Sequence, residues 1–301
     1  MLEETLKASR EKVFASMLAR PKYGKFVSAM KLVPLPAKRK ALLLTFYAAM
    51  RTIDDIVDGD LPLPPKFSTH TGYVLDKLAF IEKLDVADAF DKVKPRDDVE
   101  IMILYSLQVA QKLEYSILQE TRDIVSSMLF DAQRRDEHLK TGQLRFFPDA
   151  ELYHHFHLLD VKGTIAGSAK VFSEDPSQYR YFEPLAFATR IRYNLRDYDE
   201  DLTKGYVNIS QEDAARLGVT EAKMHDKSAP SVRRWFSEQT IKGLELLADH
   251  HKFMETADLR LLTRAVLFAQ YTFPAEKYFW KLLAKQYFGK IIGWARRDLN
   301  S

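Results

Sequence analysis

The sequence predicts an all-α protein that folds as a single domain over residues 1–301. Glycine and proline are scarce, at 11 and 12 residues, whereas the helix formers Leu, Ala, Lys, Glu and Arg are frequent. Apolar residues recur with the period of a helix along most of the chain, and the alternation typical of strands never persists. No shift in composition marks a domain boundary, so we expect one large helical domain.

Helical periodicity predicts eight segments, and proline or glycine explains several of their ends. In chain order the segments cover roughly residues 3–19, 37–58, 73–84, 97–138, 149–172, 178–202, 229–254 and 257–294. Pro34 and Pro36 lie just before the second segment, and Gly59 follows it as a C-terminal cap. Gly205 is expected to close the sixth segment, and Pro274 is expected to kink or split the last one.

Composition and charge argue against several classes of function. The formal net charge of +3 gives no support to nucleic-acid binding driven by bulk charge. With 0 cysteines there is no disulfide, no thiolate chemistry and no cysteine metal site. No apolar run reaches the roughly 18 residues of a transmembrane helix, and residues 1–5 are too acidic and polar for a signal peptide. We therefore expect a cytoplasmic protein.

Residues 47–58 form the most informative motif, Tyr-Ala-Ala-Met-Arg-Thr-Ile-Asp-Asp-Ile-Val-Asp. On a helix, positions three or four residues apart share a face, which places Tyr47, Arg51, Asp54 and Asp58 on one stripe. Carboxylates one turn apart repel each other unless a cation lies between them. Mg²⁺ takes hard oxygen ligands, keeps several waters and is commonly shared with a substrate phosphate. The stripe therefore predicts a magnesium–phosphate site.

A second acidic motif at residues 190–201 repeats this arrangement about 140 residues later. Asp197 and Asp201 are again one turn apart, with Arg196 adjacent and Tyr193 one turn earlier. A single Asp-rich helix is usually a solvated surface, but two such pairs favour a function. If the two helices pack antiparallel across a cavity, the four aspartates would hold two or three Mg²⁺ ions around a diphosphate. Such a diphosphate leaves readily, and an allylic partner becomes a carbocation sheltered by an apolar pocket.

Both motifs resemble those of the squalene/phytoene synthase family. The resemblance rests on YAAMRTIDDIVDG at 47–59 and on NLRDYDEDLTKGYVNISQEDAARLGV at 194–219. Weaker correspondence covers residues 25–34, 128–142 and 151–167. The resemblance implies an all-α bundle of the isoprenoid-synthase type around a central cavity. It also implies an enzyme that joins two prenyl diphosphates head to head.

The resemblance also implies roles for individual residues. The expected magnesium ligands are Asp54, Asp58, Asp197 and Asp201. The expected diphosphate-binding residues are Arg51, Arg196, Lys22 and Lys25, and Tyr47 would lie beside them as a hydrogen-bond donor or a cation-facing aromatic. The expected pocket residues are Tyr193, Arg190, His157 and Tyr278.

Some of these positions depart from the family pattern. Arg190 and Tyr193 stand where the family has Gln and Asn, the Asn being a further metal ligand. Tyr23 and Lys25 stand where the family has a Ser-x-Ser pair, although lysines still bind diphosphate as point charges. Activation of one allylic diphosphate is thus better supported than the whole two-substrate reaction.

Three functions are consistent with these residues. The first is magnesium-dependent, head-to-head condensation of farnesyl or geranylgeranyl diphosphate, with use of NADPH left open. The second is transfer of the prenyl group to a non-isoprenoid small-molecule acceptor, such as an aromatic compound. The third, disfavoured because all four aspartates are present, is a non-catalytic relative that serves as an assembly factor. The basic stretch at residues 294–297 is either a solvated helix end or a peripheral contact with an anionic membrane.

Overall fold

The computed structural model describes residues 2–18, 21–86, 90–175 and 182–298, without the side chains of some residues inside the helices. Within these ranges the chain forms fifteen α-helices and no β-strand, which confirms the predicted all-α class. The first eight are α1 (Leu2–Leu18), α2 (Pro21–Leu32), α3 (Ala37–Val57), α4 (His70–Val86), α5 (Asp98–Gln111), α6 (Leu118–Thr141), α7 (Asp149–Phe156) and α8 (Ala166–Phe172). The remaining seven are α9 (Glu183–Arg196), α10 (Tyr198–Thr203), α11 (Gln211–Leu217), α12 (Glu221–Met224), α13 (Pro230–Thr256), α14 (Leu261–Leu267) and α15 (Phe273–Asp298). Two π-helical stretches, His157–Ile165 and Phe268–Thr272, and a short 3₁₀ turn at Phe90–Lys92 complete the elements.

The chain divides into two compact units. Unit 1 consists of Met1–Gln143 and His157–Pro176, and unit 2 consists of Leu144–Phe156 and Ser177–Ser301. The single domain expected over residues 1–301 stays a prediction, as does the cytoplasmic location. None of the helices in the described ranges is long and apolar enough to cross a membrane.

Unit 1 is built around α3, whose apolar face packs against α5 and α6. Leu42 and Ile53 of α3 are fully buried in the same core as Ile81 of α4 and Met102 of α5. The π-helical stretch His157–Ile165 packs on α6 so closely that a Cβ atom at Gly163 would lie 2.2 Å from the Ile124 side chain. This packing holds the C-terminal end of α3 in a rigid frame.

Unit 2 is built around the long helix α13, which packs along α9 and α15. Trp235 and Leu247 of α13 are buried with Leu195 of α9 and Phe279 of α15. A Cβ atom at Gly243 would lie 2.3 Å from the Phe279 ring, so glycine at this position allows α15 to approach α13. The packing of α13 against α9 and α15 fixes the C-terminal end of α9.

Several predicted segment boundaries were wrong. The segment predicted at 97–138 is two helices, because the chain turns after α5 with Glu114 at φ 65° and the Tyr115 amide donating to the Ala110 carbonyl. Helix α2 was not predicted, although Pro21 suits the first position of a helix. The last predicted segment is not split near Pro274, because α14 continues through the π-helical stretch Phe268–Thr272 directly into α15, which begins at Phe273.

Candidate active site

The first acidic cluster lies at the C-terminal end of α3 in unit 1. Asp58 caps the helix with its amide donating to the Asp54 carbonyl at 2.7 Å, and Gly59 follows at φ 76°. The two carboxylates therefore stand one turn apart, as predicted. Negative charge is unfavourable at a helix C-terminus because the helix dipole points its negative end there.

Arg51 is enclosed by three side chains of unit 1. Its Nη2 atom lies 2.9 Å from Asp55 Oδ1, its Nη1 atom pairs with Asp54, and its Nε donates to the Tyr23 phenol oxygen at 2.8 Å. The Tyr23 hydroxyl in turn donates to Asp55 Oδ1 at 2.7 Å. Burial alone would lower the pKa of Arg51, but the carboxylates of Asp54 and Asp55 raise it on balance. The arginine therefore carries a fixed positive charge whose orientation is set by the protein.

Asp54 has an unusual affinity for protons. Burial raises the pKa of its carboxyl to about 7, against the opposing effect of Arg51 and with further contributions from the charges of Asp58, Asp131 and Asp55. Its side chain is nevertheless 25% exposed, so the group remains accessible. The carboxylates repel one another, and a cation bound among them would relieve this repulsion.

Two residues of this cluster were missed by the sequence analysis, because they come from other helices. Asp131 of α6 acts electrostatically on Asp54 and is paired with the buried Arg134. Tyr23 of α2 was noted only as a departure from the family pattern, although it is 5% exposed and bonded to both Arg51 and Asp55. The sequence contained one signal for Asp131, because this residue lies within the segment 128–142 that resembles the family.

The remaining predicted residues of unit 1 lie in different surroundings. Tyr47 is half-buried on α3, one turn before Arg51, and packs against the core of unit 1. His157 is half-buried at the start of the π-helical stretch. Lys22 and Lys25 lie in α2, but their side chains are outside the described part of the chain.

The second acidic cluster lies in unit 2, where α9 ends and α10 begins. Asp197 separates the two helices, and its amide donates to the Tyr193 carbonyl at 2.9 Å. The Asp201 amide donates to the Asp197 carbonyl at 2.8 Å, so the helical spacing of the two aspartates persists across the junction. The Asn208 side-chain amide donates to Asp201 Oδ2 at 2.9 Å and orients that carboxylate. Asn208 was not predicted as a site residue, although it lies in the segment 194–219 that resembles the family.

Arg196 forms a bidentate ion pair with Asp197, its neighbour in the chain. Its Nε atom lies 2.7 Å from Asp197 Oδ1, and its Nη2 atom lies 2.5 Å from Oδ2. This bond raises the pKa of Arg196. The arginine expected to bind diphosphate is thus held beside a predicted metal ligand.

Tyr193 is surrounded by three guanidinium groups of α9. The Cζ atoms of Arg196, Arg192 and Arg190 lie 4.7, 5.2 and 6.0 Å from the centre of its ring. Such cation–π contacts offset part of the repulsion among the three guanidinium groups. Arg190 also lies over Phe156 at 5.1 Å. Arg192 was not predicted as a site residue. It lies beside Tyr193, which together with Arg190 departs from the family pattern.

Tyr278 of α15 lies near the same charges of unit 2. Burial raises the pKa of its phenol, with smaller opposing effects of Arg196 and Arg192 and a further increase from Asp197. The structure therefore places Tyr278 near the second acidic cluster, and its role as a pocket residue stays a prediction. Asn194 is buried, and it follows Tyr193 directly, which on an ideal helix is a rotation of about 100°.

The chemistry of both clusters fits a hard cation such as Mg²⁺. Each offers carboxylate oxygens one helical turn apart, and in the first cluster burial together with the neighbouring carboxylates raises the pKa of Asp54. Within the described ranges no group of three or more His, Asp or Glu side chains is arranged to hold a metal. Mg²⁺ commonly takes only one or two protein carboxylates and completes its shell with water and phosphate oxygens.

Comparison with known proteins assigns the family. The sequence model of the squalene/phytoene synthase family matches residues 20–273, so the chain belongs to that family. Its members are prenyltransferases that use magnesium-bound prenyl diphosphates.

A curated relative is the chloroplastic phytoene synthase 1 of Arabidopsis thaliana, 25% identical over 236 residues. The match covers 75% of this chain and 50% of the relative, so the chain spans about half the length of that protein.

Two solved structures share the fold. The squalene synthase HpnC from Alicyclobacillus acidocaldarius superimposes with a TM-score of 0.66 at 13% identity, covering 94% of this chain and 96% of that one. A dehydrosqualene synthase crystallised with a ligand superimposes with a TM-score of 0.64 at 14% identity, covering 95% and 89%. The predicted family and the predicted isoprenoid-synthase type of fold are thus confirmed.

Proposed function

We propose that this protein is a magnesium-dependent prenyltransferase that ionises an allylic diphosphate, farnesyl or geranylgeranyl, and joins two such substrates head to head. The observation that carries the proposal is the cluster at the end of α3. There a fixed arginine and two aspartates one turn apart form a partly exposed site with excess negative charge.

Each acidic pair would contribute oxygen ligands to Mg²⁺, Asp54 and Asp58 in unit 1 and Asp197 and Asp201 in unit 2. The metal, when bound, supplies positive charge that stabilises the departing diphosphate. The protein supplies ligands in fixed positions: Asp58 by the helix cap, and Asp201 by its bond from Asn208. Fixed donors lose little freedom when the substrate binds.

The two arginines would act differently on the diphosphate. Arg51 is held by Tyr23 and Asp55, so its charge is oriented before substrate arrives. Arg196 is half exposed and would exchange one of its two bonds with Asp197 for a diphosphate oxygen. Reduction by NADPH is not included in the proposal.

Transfer to a non-isoprenoid acceptor is the second candidate, and the surroundings of Tyr193 favour it. At this position the family has a neutral amide ligand, whereas here a phenol ring is packed against Arg190, Arg192 and Arg196. This positive, aromatic environment differs from the one that binds a second prenyl diphosphate through a metal. It suits an aromatic or acidic acceptor.

Product analysis distinguishes these candidates. The full chain is incubated with Mg²⁺ and farnesyl or geranylgeranyl diphosphate, and pyrophosphate and extracted hydrocarbons are measured. A C30 or C40 product supports head-to-head condensation. Pyrophosphate release that depends on an added aromatic compound, with a prenylated product, supports the second candidate. No release under either condition contradicts both and favours a non-catalytic relative.

A further inference from the structure

The outward stripe of α15 combines aromatic and basic side chains. Phe273 is 50% exposed and Trp280 is 62% exposed, and Lys277 and Lys281 are exposed beside them. These positions recur every three or four residues and therefore lie on one side of the helix. The opposite side, with Ala275 and Phe279, is fully buried in unit 2. The stripe is therefore not part of the core.

A π-helical turn extends this stripe onto α14. Leu261 and Phe268 are 83% and 54% exposed, and they are two turns apart. The Phe273 amide donates to the Phe268 carbonyl, a five-residue step that continues the helix without a break. As a result the rings of Phe268 and Phe273 lie 6.0 Å apart. We call Leu261, Phe268, Phe273 and Trp280, with Lys277, Lys281 and Lys285, the aromatic–lysine face.

The charge of this face is positive. Residues 261–285 contain four basic residues, Arg264, Lys277, Lys281 and Lys285, and one acidic residue, Glu276. Glu276 is bound to His251 at 2.6 Å. The three lysines form no ion pair with any residue in the described ranges, and Lys277 Nζ lies 6.0 Å from the centre of the Phe273 ring. Their charge is thus available to a partner.

The face is held rigidly by unit 2. Arg264 donates to the carbonyls of Met254 at 2.9 Å and Ala257 at 2.5 Å, which joins α14 to the end of α13. Phe279 packs against Gly243 and joins α15 to the same helix. The apolar side chains are therefore exposed by a fixed backbone and are not the frayed end of a helix.

We propose that the aromatic–lysine face docks on the surface of an anionic lipid bilayer. Exposed Trp, Phe and Leu side chains enter the boundary between head groups and acyl chains, while lysines contact anionic head groups. A second copy of the chain is a poorer partner, because a two-fold contact would place the lysines of both copies against each other. This inference goes beyond the proposed catalytic function and does not depend on it.

Vesicle flotation with the full chain tests the proposal. We expect binding to vesicles of phosphatidylcholine mixed with phosphatidylserine and much weaker binding to phosphatidylcholine alone. Lys277→Gln and Lys281→Gln should each weaken binding about fivefold, which corresponds to the attraction of one lysine to an anionic surface. Phe273→Ser with Trp280→Ser should weaken it at least about tenfold, because two large side chains lose their apolar contact.

The matched control is Leu139→Ser with Lys140→Gln on α6, which removes an exposed apolar side chain and a lysine from unit 1. It should bind as the unchanged protein does. A second readout is fluorescence quenching by brominated lipid, which should fall in Trp280→Phe although that variant still floats with the vesicles.

Three outcomes would overturn the proposal. The first is flotation that is the same in the Phe273→Ser, Trp280→Ser variant and in the control. The second is no preference for anionic vesicles. The third is that the unchanged protein does not bind vesicles but forms a concentration-dependent dimer, detected by sedimentation, and that the Phe273→Ser, Trp280→Ser variant no longer forms this dimer.

Discussion

In the first acidic cluster the arginine is enclosed, whereas in the second cluster the arginine is open to solvent. The Arg51 side chain is 22% exposed and contacts Tyr23, Asp54 and Asp55. The Arg196 side chain is 45% exposed, and its carboxylate partner is the adjacent Asp197. Nearly the same pattern of arginine and aspartate thus produces two different electrostatic environments.

The difference arises from what packs against each helix end. The end of α3 is covered by α2 and α6, which bring a phenol and a further carboxylate to the arginine and aspartates. The end of α9 is followed directly by α10, whose first turn brings Asp199, Glu200 and Asp201 next to the guanidinium groups and aromatic rings around Tyr193. The first cluster is therefore buried, and burial raises the pKa of Asp54, whereas the second is more exposed and mixes carboxylates with guanidinium groups. A sequence motif specifies the ligands, and the packing specifies how strongly they need a cation.

The largest effect on stability is expected from Asp55→Ala. Asp55 is 1% exposed and is bonded to Tyr23 and Arg51, so its removal leaves a buried guanidinium short of a partner. Breaking a buried pair in this way costs about 3 kcal/mol. Urea unfolding followed by circular dichroism measures the change. A loss below about 1 kcal/mol, the range of exposed pairs, would remove the contrast between the clusters.

A second difference is expected in the response to pH. The pKa of Asp54 is about 7 in the folded protein, against about 3.9 for an unperturbed Asp. Between these values the folded state binds more protons than the unfolded state, so this group makes the metal-free protein less stable as pH rises from about 4 to about 7. Asp54→Asn should reduce that loss, measured as the free energy of unfolding in EDTA at both ends of the range. An identical pH dependence in protein and variant would contradict the assignment.

A smaller effect is expected from Tyr23→Phe. The change keeps the ring, over which the Arg51 guanidinium lies at 4.9 Å, and removes the hydroxyl that bonds Asp55 and Arg51. Asp55 Oδ1 keeps its contact with Arg51 Nη2, but the Arg51 Nε donor loses its acceptor, and a buried polar group left without its partner costs about 2 kcal/mol. Tyr153→Phe is the matched control, because that hydroxyl bonds Glu183 at an exposed position. Equal losses in the two variants would show that the enclosure of Arg51 has no energetic consequence.

The smallest effect is expected from Arg196→Ala. The pair with Asp197 is partly exposed, so its loss should cost about 1 kcal/mol or less. The same unfolding measurement applies. A loss as large as that of Asp55→Ala would mean that the second cluster is as tightly held as the first.

Much of the fold follows from apolar periodicity in the sequence. The segment predicted at 37–58 matches α3, Ala37–Val57, because proline before it and glycine after it define both ends. The break between α5 and α6 could not be predicted, because the turn places Glu114 in the left-handed region without a glycine or asparagine to indicate it. Helix α2 was not predicted, although its buried residues Val27 and Met30 lie one turn apart.

The candidate site was predictable where it lies along one helix and unpredictable where helices meet. Arg51, Asp54 and Asp58 share a stripe by spacing alone. Tyr23 and Asp131 reach them from α2 and α6 through tertiary packing, which spacing does not reveal. For the same reason the bond from Asn208 to Asp201 was not expected, since it joins a loop to a helix.

We propose that both acidic clusters serve the ionisation of an allylic diphosphate. This is tested directly by Mg²⁺-dependent pyrophosphate release from farnesyl or geranylgeranyl diphosphate in Asp54→Asn, Asp197→Asn and a control, Asp199→Asn. Asp199 lies two residues from Asp197, is 75% exposed and is paired with Lys227. We expect release to fall at least about a hundredfold in the first two variants, because preorganised electrostatic stabilisation is lost, and to stay unchanged in the control. Release that persists in Asp54→Asn or Asp197→Asn, or that falls equally in Asp199→Asn, would contradict it.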